Sequence, residues 1–488
     1  MTRWGPGFGI WALGVLCCAS VASAQFQAIN WPVEGPPRPL PPRQMNFPPY
    51  ELRTLANGMQ VIAVAQNEQP AVTMRLYIRA GAAQDPARKS GTAQLVASLL
   101  DQGTTTLGAA EIADRIDSIG GSMGTGSGTD LSNVSAVVMK DSFDVALNLM
   151  HDVVRNPAFA PDEIDRQKQQ AMSGLQVNRV DPDYVASVLF DRLVYGFHPY
   201  GVSNTPESIG SITRADLQAF HRQWFVPNNM ILAVVGDVTA ADAFATVEKV
   251  FGNWARGTLP AVAPQEPPPP TRRIIVVDKP DSVQTEIRVG QLAIPRKHPQ
   301  YDAWDLAVKI LGGEGANRLH RVLRSERGLT YGASADTQAM KQAGDYVAET
   351  DTETGNTGEV LRLAVEEFSK LQRQRVGGRE LADAQAYLAG SFPLTLETPN
   401  DLATQLLNAV FYELPVEDIR NYRERVQAIT PDDIQAVARQ YIRPDRLSIV
   451  LVGNAKAFVG QLRAQGFTEF EVIPIERLDL SSATLTSQ

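Results

Sequence analysis

The sequence predicts two homologous α+β domains in tandem, and three observations carry that expectation. The chain has 488 residues, whereas one hydrophobic core rarely organises more than about 250–300. A segment reading LPAVAPQEPPPP, at 259–270, has neither helical nor strand period and divides the rest into halves of similar size; consecutive prolines favour a stiff, extended spacer. The third observation is an internal repeat. ITRADLQAFHRQWFVPNNMILAVVG at 212–236 aligns without a gap with ITPDDIQAVARQYIRPDRLSIVLVG at 429–453. In each copy a threonine (Thr213 or Thr430) can cap a helix, a proline (Pro227 or Pro444) breaks it, and an apolar strand ends at glycine (Gly236 or Gly453).

The elements follow in order. Residues 1–24 have the form of a signal peptide: Arg3, an apolar stretch at 8–18, then Ala22-Ser23-Ala24 before Gln25. The apolar run falls short of the ~20 residues of a membrane span. Both cysteines, Cys17 and Cys18, lie inside it, so the mature chain has no thiol for a disulfide or a metal. A protein secreted to the periplasm is expected. Residues 25–50 form a proline-rich leader, either a free tail or a docking arm.

The first domain is expected at 51–256. Asn57-Gly58 between two apolar runs predicts a hairpin. Residues 72–78 alternate like a half-buried strand, 91–100 and 109–119 read as helices, 132–139 as a strand, and 143–154 and 161–177 as helices. Helix 214–224 and strand 230–235 close the half. The linker is expected at 257–271, the second domain at 272–475, and a flexible tail at 476–488, whose last eight residues are small and polar.

A formal charge of -9 excludes a basic nucleic-acid surface. No stretch after the leader is long and apolar enough to span a membrane. His151, His198, His221, His298 and His320 are scattered, none with a ligand partner at zinc spacing. Phosphate loops, dinucleotide fingerprints and Ser/His/Asp nucleophile patterns are absent from the sequence. The glycine run GGSMGTGSG at 120–128 lacks the Lys-Ser/Thr of a phosphate cradle.

At this point a resemblance becomes specific. The hairpin at Asn57-Gly58, a strand ending near Ala80-Gly81, Gly91-x-Ala93 opening a helix and Gly103-Thr104 closing it resemble the M16 (insulinase/pitrilysin-like) peptidases. The duplication does too, and the likeness runs through nearly the whole mature chain. It implies domains that are each a mainly antiparallel sheet packed with helices, together half of a clamshell. In active members the helix carries H-x-x-E-H, two histidines for zinc and a glutamate as general base. Here Gln94, Ala97 and Ser98 stand at those positions, Gly174 where a later glutamate ligand belongs, and Gln167 in place of another acid. No zinc or other cofactor is therefore expected in this chain. The glycine run matches a region leading into an edge strand that a substrate peptide can extend; without the resemblance it reads as a mobile loop.

One family feature is retained. LGGEGANRLHRVLRSERGLTY at 311–331 resembles the family segment carrying a substrate-binding arginine and tyrosine, which the match places at Arg324 and Tyr331. Arg321 and Arg327 are the alternatives if the register slips. Residues 317–327 read as a helix, Gly328 as its stop and 329–331 as the start of a strand, a reversal that brings the pair together. By residue type alone, an arginine there could equally complement the helix dipole and the tyrosine could be core.

The resemblance implies a non-catalytic subunit of a heteromeric metallopeptidase. It would bind peptides or unfolded segments for a homologous zinc-bearing M16 subunit with which it forms a heterodimer. The alternative is a structural or peptide-binding homologue acting as a homodimer. Substrate identity is not written in the sequence.

Overall fold

The computed structural model describes residues 47–261, 263–313 and 317–487. The expected signal peptide, and the leader as far as residue 46, lie outside the described residues.

The first half begins with strands β1 (Glu51–Thr54), β2 (Gln60–Ala65) and β3 (Ala71–Ile78). Helices α1 (Thr92–Leu99) and α2 (Ala109–Ser118), strands β4 (Ser122–Ser127) and β5 (Ser132–Met139), and helices α3 (Phe143–Arg155), α4 (Pro161–Asn178) and α5 (Pro182–Tyr195) follow. Helices α6 (Pro206–Ser211) and α7 (Arg214–Trp224), strand β6 (Met230–Gly236) and helix α8 (Ala240–Phe251) complete it. Six strands form one sheet in the order β1-β2-β6-β3-β5-β4, antiparallel except for β2 beside β6. The predicted turn at Asn57-Gly58 is present: Gly58 takes φ +89°, and β1 pairs antiparallel with β2.

The second half repeats the plan. It contains strands β7 (Arg273–Asp278) and β8 (Gln284–Leu292), helix α9 (Tyr301–Gly312), a short π-type helix (His320–Glu326), and strands β9 (Ala333–Ala339) and β10 (Gly344–Glu353). Helices α10 (Thr357–Arg373), α11 (Gly378–Ser391), α12 (Pro399–Phe411), α13 (Glu417–Arg420), α14 (Tyr422–Ala428) and α15 (Pro431–Tyr441) lead to strand β11 (Ser448–Gly453), helix α16 (Ala455–Ala464) and strand β12 (Glu471–Pro474). The second sheet runs β12-β7-β11-β8-β10-β9. The repeated segments hold equivalent places, α7 with β6 and α15 with β11. Their caps are made alike: Thr213 Oγ1 accepts from the Asp216 N–H, and Thr430 Oγ1 from the Asp433 N–H.

Each sheet buries one face against its own helices, giving one apolar core per half. The opposite faces are covered by exchange. Helix α5, from the first half, lays Val185, Ala186, Leu189, Phe190 and Val194 on Ile275, Val277, Val450 and Val452 of the second sheet. Helix α12, from the second half, lays Leu402, Leu406, Leu407 and Phe411 on Ile62, Val64, Ile231 and Val235 of the first. Both helices start in the same way, with a capping side chain (Asp181 or Thr398) before a proline whose missing N–H costs nothing at that position. Helix exchange explains why β6 is buried along its whole length, and why β3, expected to be half-buried, is buried on both faces at most positions.

Two expectations need correction, and the end of the leader can be placed. The tail expected to be flexible is packed: Leu485 is 1% exposed within the α5 interface, and the Arg192 Nε–H donates to the Leu480 carbonyl at 3.0 Å. Its small residues fold back on themselves, Asp479 N–H to Leu485 carbonyl at 2.9 Å, which seats that one leucine. At the other end, Phe47 and Tyr50 of the leader meet edge to face and pack beside α12 with Arg420 over both rings. Finally, 329–331 is not strand; β9 starts at Ala333. Threonine side chains take up the carbonyls there, Thr352 Oγ1 donating to Leu329 O at 2.6 Å and Thr330 Oγ1 to Gly332 O at 2.8 Å.

Candidate functional site

Two places on the chain correspond to the sequence-derived candidates. The first is α1. Gly91 precedes it at φ +98°, and a Cβ there would fall 2.3 Å from Ile209 Cδ1, so only glycine fits. The Asp85 carboxylate accepts from the N–H groups of Gly91 and Ala93, both at 2.7 Å, and so anchors the helix start. Burial pushes Asp85 up to about 6, although those backbone donors pull the other way.

Along this helix, Gln94 is exposed and its Oε1 accepts from Asn204 Nδ2 at 2.7 Å. Ala97 is buried, and Ser98 Oγ donates back to the Leu95 carbonyl at 3.1 Å. Gly174, on the neighbouring α4, has open space where a side chain would stand. An amide oxygen, a methyl, an engaged hydroxyl and a hydrogen cannot make a zinc site, which needs imidazole, thiolate or carboxylate donors. Among the described residues no cluster of three or more His, Cys, Asp or Glu could hold a metal ion. The residues at these positions do not fit the zinc of active relatives.

Three of the five histidines are tied into structure as follows. His221 bonds the Val154 carbonyl through Nε2 at 2.7 Å and is pushed down to about 4 by burial. His198 contacts Gln265 O and accepts from the Tyr200 N–H, and His151 packs against Phe251 and Trp254. Beside α1 lies a cleft of about 280 Å³, lined by Asp85, Gln94, Asn204 and the end of β4 around Ser127. The glycine run is thus neither a phosphate cradle nor a loop: residues 122–127 are β4, the edge strand, hydrogen-bonded in the sheet only to β5.

The second place is the reversal after the π-type helix. Gly328 takes φ +63° and its N–H returns to the Arg324 carbonyl at 3.0 Å, while the Leu329 N–H reaches the Leu323 carbonyl at 2.8 Å. This stop folds the chain back so that the Arg324 guanidinium lies 5.0 Å from the centre of the Tyr331 ring. Tyr331 is 81% exposed, so it is not a core tyrosine. Arg324 donates to the Thr330 carbonyl at 3.3 Å and, among the described residues, has no carboxylate partner. The alternatives Arg321 and Arg327 are each in an ion pair, with Glu326 and Glu359. Arg324 and Tyr331 line a cleft of about 150 Å³ with Gln284, Asp351, Glu353 and Asn356.

Sequence reasoning missed the joint between the halves. Asp130, in the β4–β5 turn, accepts from the Tyr200 hydroxyl at 2.6 Å and from the Lys341 N–H of the β9–β10 turn at 2.9 Å. Tyr200 lies in the segment His198-Pro199-Tyr200-Gly201, which the sequence marks only as a turn.

Comparison with known proteins agrees with this architecture. The family model for insulinase (peptidase family M16) matches residues 60–198, and that for the peptidase M16 inactive domain matches 211–388. An uncharacterised zinc protease of Mycobacterium leprae is 24% identical over 420 residues, 84% of this chain and 94% of the relative. The zinc protease PqqE of Helicobacter pylori is 23% identical over 421 residues, 84% and 94% of the two chains. A crystal structure of a peptidase M16 inactive domain from Pseudomonas fluorescens superposes with TM-score 0.79 at 30% identity, covering 83% of this chain and 98% of that one. A solved protease from Helicobacter pylori shares the fold at TM-score 0.77 and 21% identity, over 83% and 100% of the chains. With both sheets, the repeat and nearly the full length of a 30% identical structure in common, this chain belongs to peptidase family M16.

Proposed function

We propose that this chain is the zinc-less subunit of a heteromeric M16 metallopeptidase, binding and orienting peptides for cleavage by a homologous zinc-bearing partner. One observation carries the reading: Arg324 and Tyr331 are brought together at an open cleft, without an ion-pair partner among the described residues, while the helix that would bind zinc has no donor. A guanidinium and a phenol are both hydrogen-bond donors; aimed at one peptide carbonyl, they orient it and stabilise negative charge developing on its oxygen. The edge strand β4 offers backbone groups with which an extended peptide can pair as an added strand. The names of the relatives, zinc proteases, support a place in proteolysis. Export to the periplasm by residues 1–24 belongs to the same proposal.

The test is co-expression with a homologous subunit that carries an intact H-x-x-E-H. Arg324→Ala should lower peptidase kcat/KM of the complex by about 10²-fold, the effect of losing one oxyanion donor. Tyr331→Phe should lower it too, and neither should alter co-purification of the subunits. Unchanged turnover in both variants, or cleavage by this chain alone, would rule the assignment out.

A further inference from the structure

Helix α5 is the element by which the first half grips the second, through an apolar face flanked by polar contacts of Asp183 and Arg192 and crossed by a buried tyrosine–carboxyl pair. There the Tyr195 hydroxyl donates to Asp345 Oδ2, on β10, at 2.6 Å. Asp345 is 1% exposed and its other oxygen, Oδ1, has no hydrogen-bond partner among the described residues. We propose that this carboxyl is a proton-operated latch: protonated, it keeps α5 seated on the second sheet, and ionised, it loosens the helix.

The surroundings decide the sign. From α5, Asp345 faces Tyr195 and, one turn earlier, Asp191; from its own strand Glu349; and from β9 Asp336. Cations on the surrounding elements are committed elsewhere. Arg288, on β8, pairs with Asp183, Glu286 and Glu349, and Lys309 with Asp336. Arg192 is turned to the tail carbonyls of Leu480 and Ser482. His198 is held by Gln265 O and the Tyr200 N–H, and the Tyr200 hydroxyl by Asp130. Burial therefore pushes Asp345 up to about 7, with Asp336 and Glu349 adding to it and the Tyr195 bond opposing. Burial raises Asp191 too, followed by the charges of Asp345 and Glu349. An acid whose folded pKa lies above its unfolded value binds more protons folded than unfolded, so rising pH weakens the docked state. For Asp345 the weakening runs from near its ordinary value of 3.8 to about 7 and then levels off.

The exchanged helix of the other half supplies an internal control. At the corresponding interface α12 presents an amide: the Tyr77 hydroxyl meets Asn408 Oδ1 at 3.4 Å, a contact with no carboxyl to titrate. Both seats hold a tyrosine hydroxyl contact, and only that of α5 is made to a carboxyl.

Hydrogen–deuterium exchange of the full chain at pH 5 and pH 7, corrected for the intrinsic exchange rate, tests the latch. Opening of 182–195 should increase with pH, by up to about tenfold per unit for each proton, on Asp345 and Asp191, that opening releases, while 399–411 stays constant. Asp345→Asn should make the pH dependence of α5 shallower by one proton. Constant protection of α5, an equal change in α12, or a wild-type pH dependence in Asp345→Asn would each overturn the proposal. Should Asp345→Asn fail to fold, Asp191→Asn keeps the Tyr195–Asp345 bond and removes the other raised carboxyl of the interface. It should leave α5 a pH dependence, smaller by that one proton; complete loss of the dependence overturns the latch.

Discussion

Gly174 sits inside the 18-residue helix α4 with nothing within 4 Å of the place a Cβ would take. Glycine in a helix interior costs about 0.5–1 kcal/mol relative to alanine, so Gly174→Ala should raise stability by that amount, measured by calorimetric unfolding. Gly91 behaves oppositely. Its φ of +98° and the nearby Ile209 methyl leave no room, so Gly91→Ala should destabilise by more than about 1 kcal/mol in the same measurement. Residues of this kind were legible in the sequence only in part. That Gln94, Ala97, Ser98 and Gly174 leave zinc without donors follows from side-chain chemistry once the helices are matched. That Arg324, rather than Arg321 or Arg327, is the arginine without a carboxylate partner among the described residues depends on where Glu326 and Glu359 lie in space. No spacing rule gives that.

Elements in register with their own sequence signals were predicted well. The hairpin at Asn57-Gly58, the capped helices of the repeat and strand 132–139 each need only local information. Elements whose partners lie in the other half were not. Helices α5 and α12 each carry an apolar stripe and a cap-proline start, and these signals mark a helix without saying that it belongs on the opposite sheet. The exchange gives a sharp expectation. Leu406 is fully buried between α12 and the first sheet, so Leu406→Ala should cost about 2–5 kcal/mol of stability, read from denaturant unfolding. A cost below about 1 kcal/mol, the level of an exposed site, would show that α12 does not hold that face.

At the scale of the molecule the described residues of both halves form one compact unit and not two independent beads on a proline spacer. The Asp130–Tyr200–Lys341 joint ties the edge hairpins of the two sheets, while the exchanged helices interlock their outer faces. The chain end takes part. Deleting 479–488 removes the buried Leu485 and the carbonyls that hold Arg192. Loss of one such leucine is worth about 1.5–3 kcal/mol, so the truncated chain should unfold at a lower temperature and lose exchange protection first in α5. Unaltered protection there would show that the tail only rests on the surface. Among the described residues no helix is long and apolar enough to cross a membrane.

By itself the sequence determined the duplication, the α+β class, the family resemblance and the missing zinc donors. Each of these is written in residue types at short range or in one segment compared with another. The tertiary structure alone decided which helix covers which sheet, that the tail is packed, that the glycine run is an edge strand, and that Asp345 is buried with Tyr195 as its hydrogen-bond partner. Apart from the β4–β5 pairing, those outcomes depend on contacts between residues far apart in the chain, 150 positions for Tyr195–Asp345 and 288 for Arg192–Leu480. The free energy of burying a face is set by whatever arrives to cover it, and a local pattern cannot name that partner.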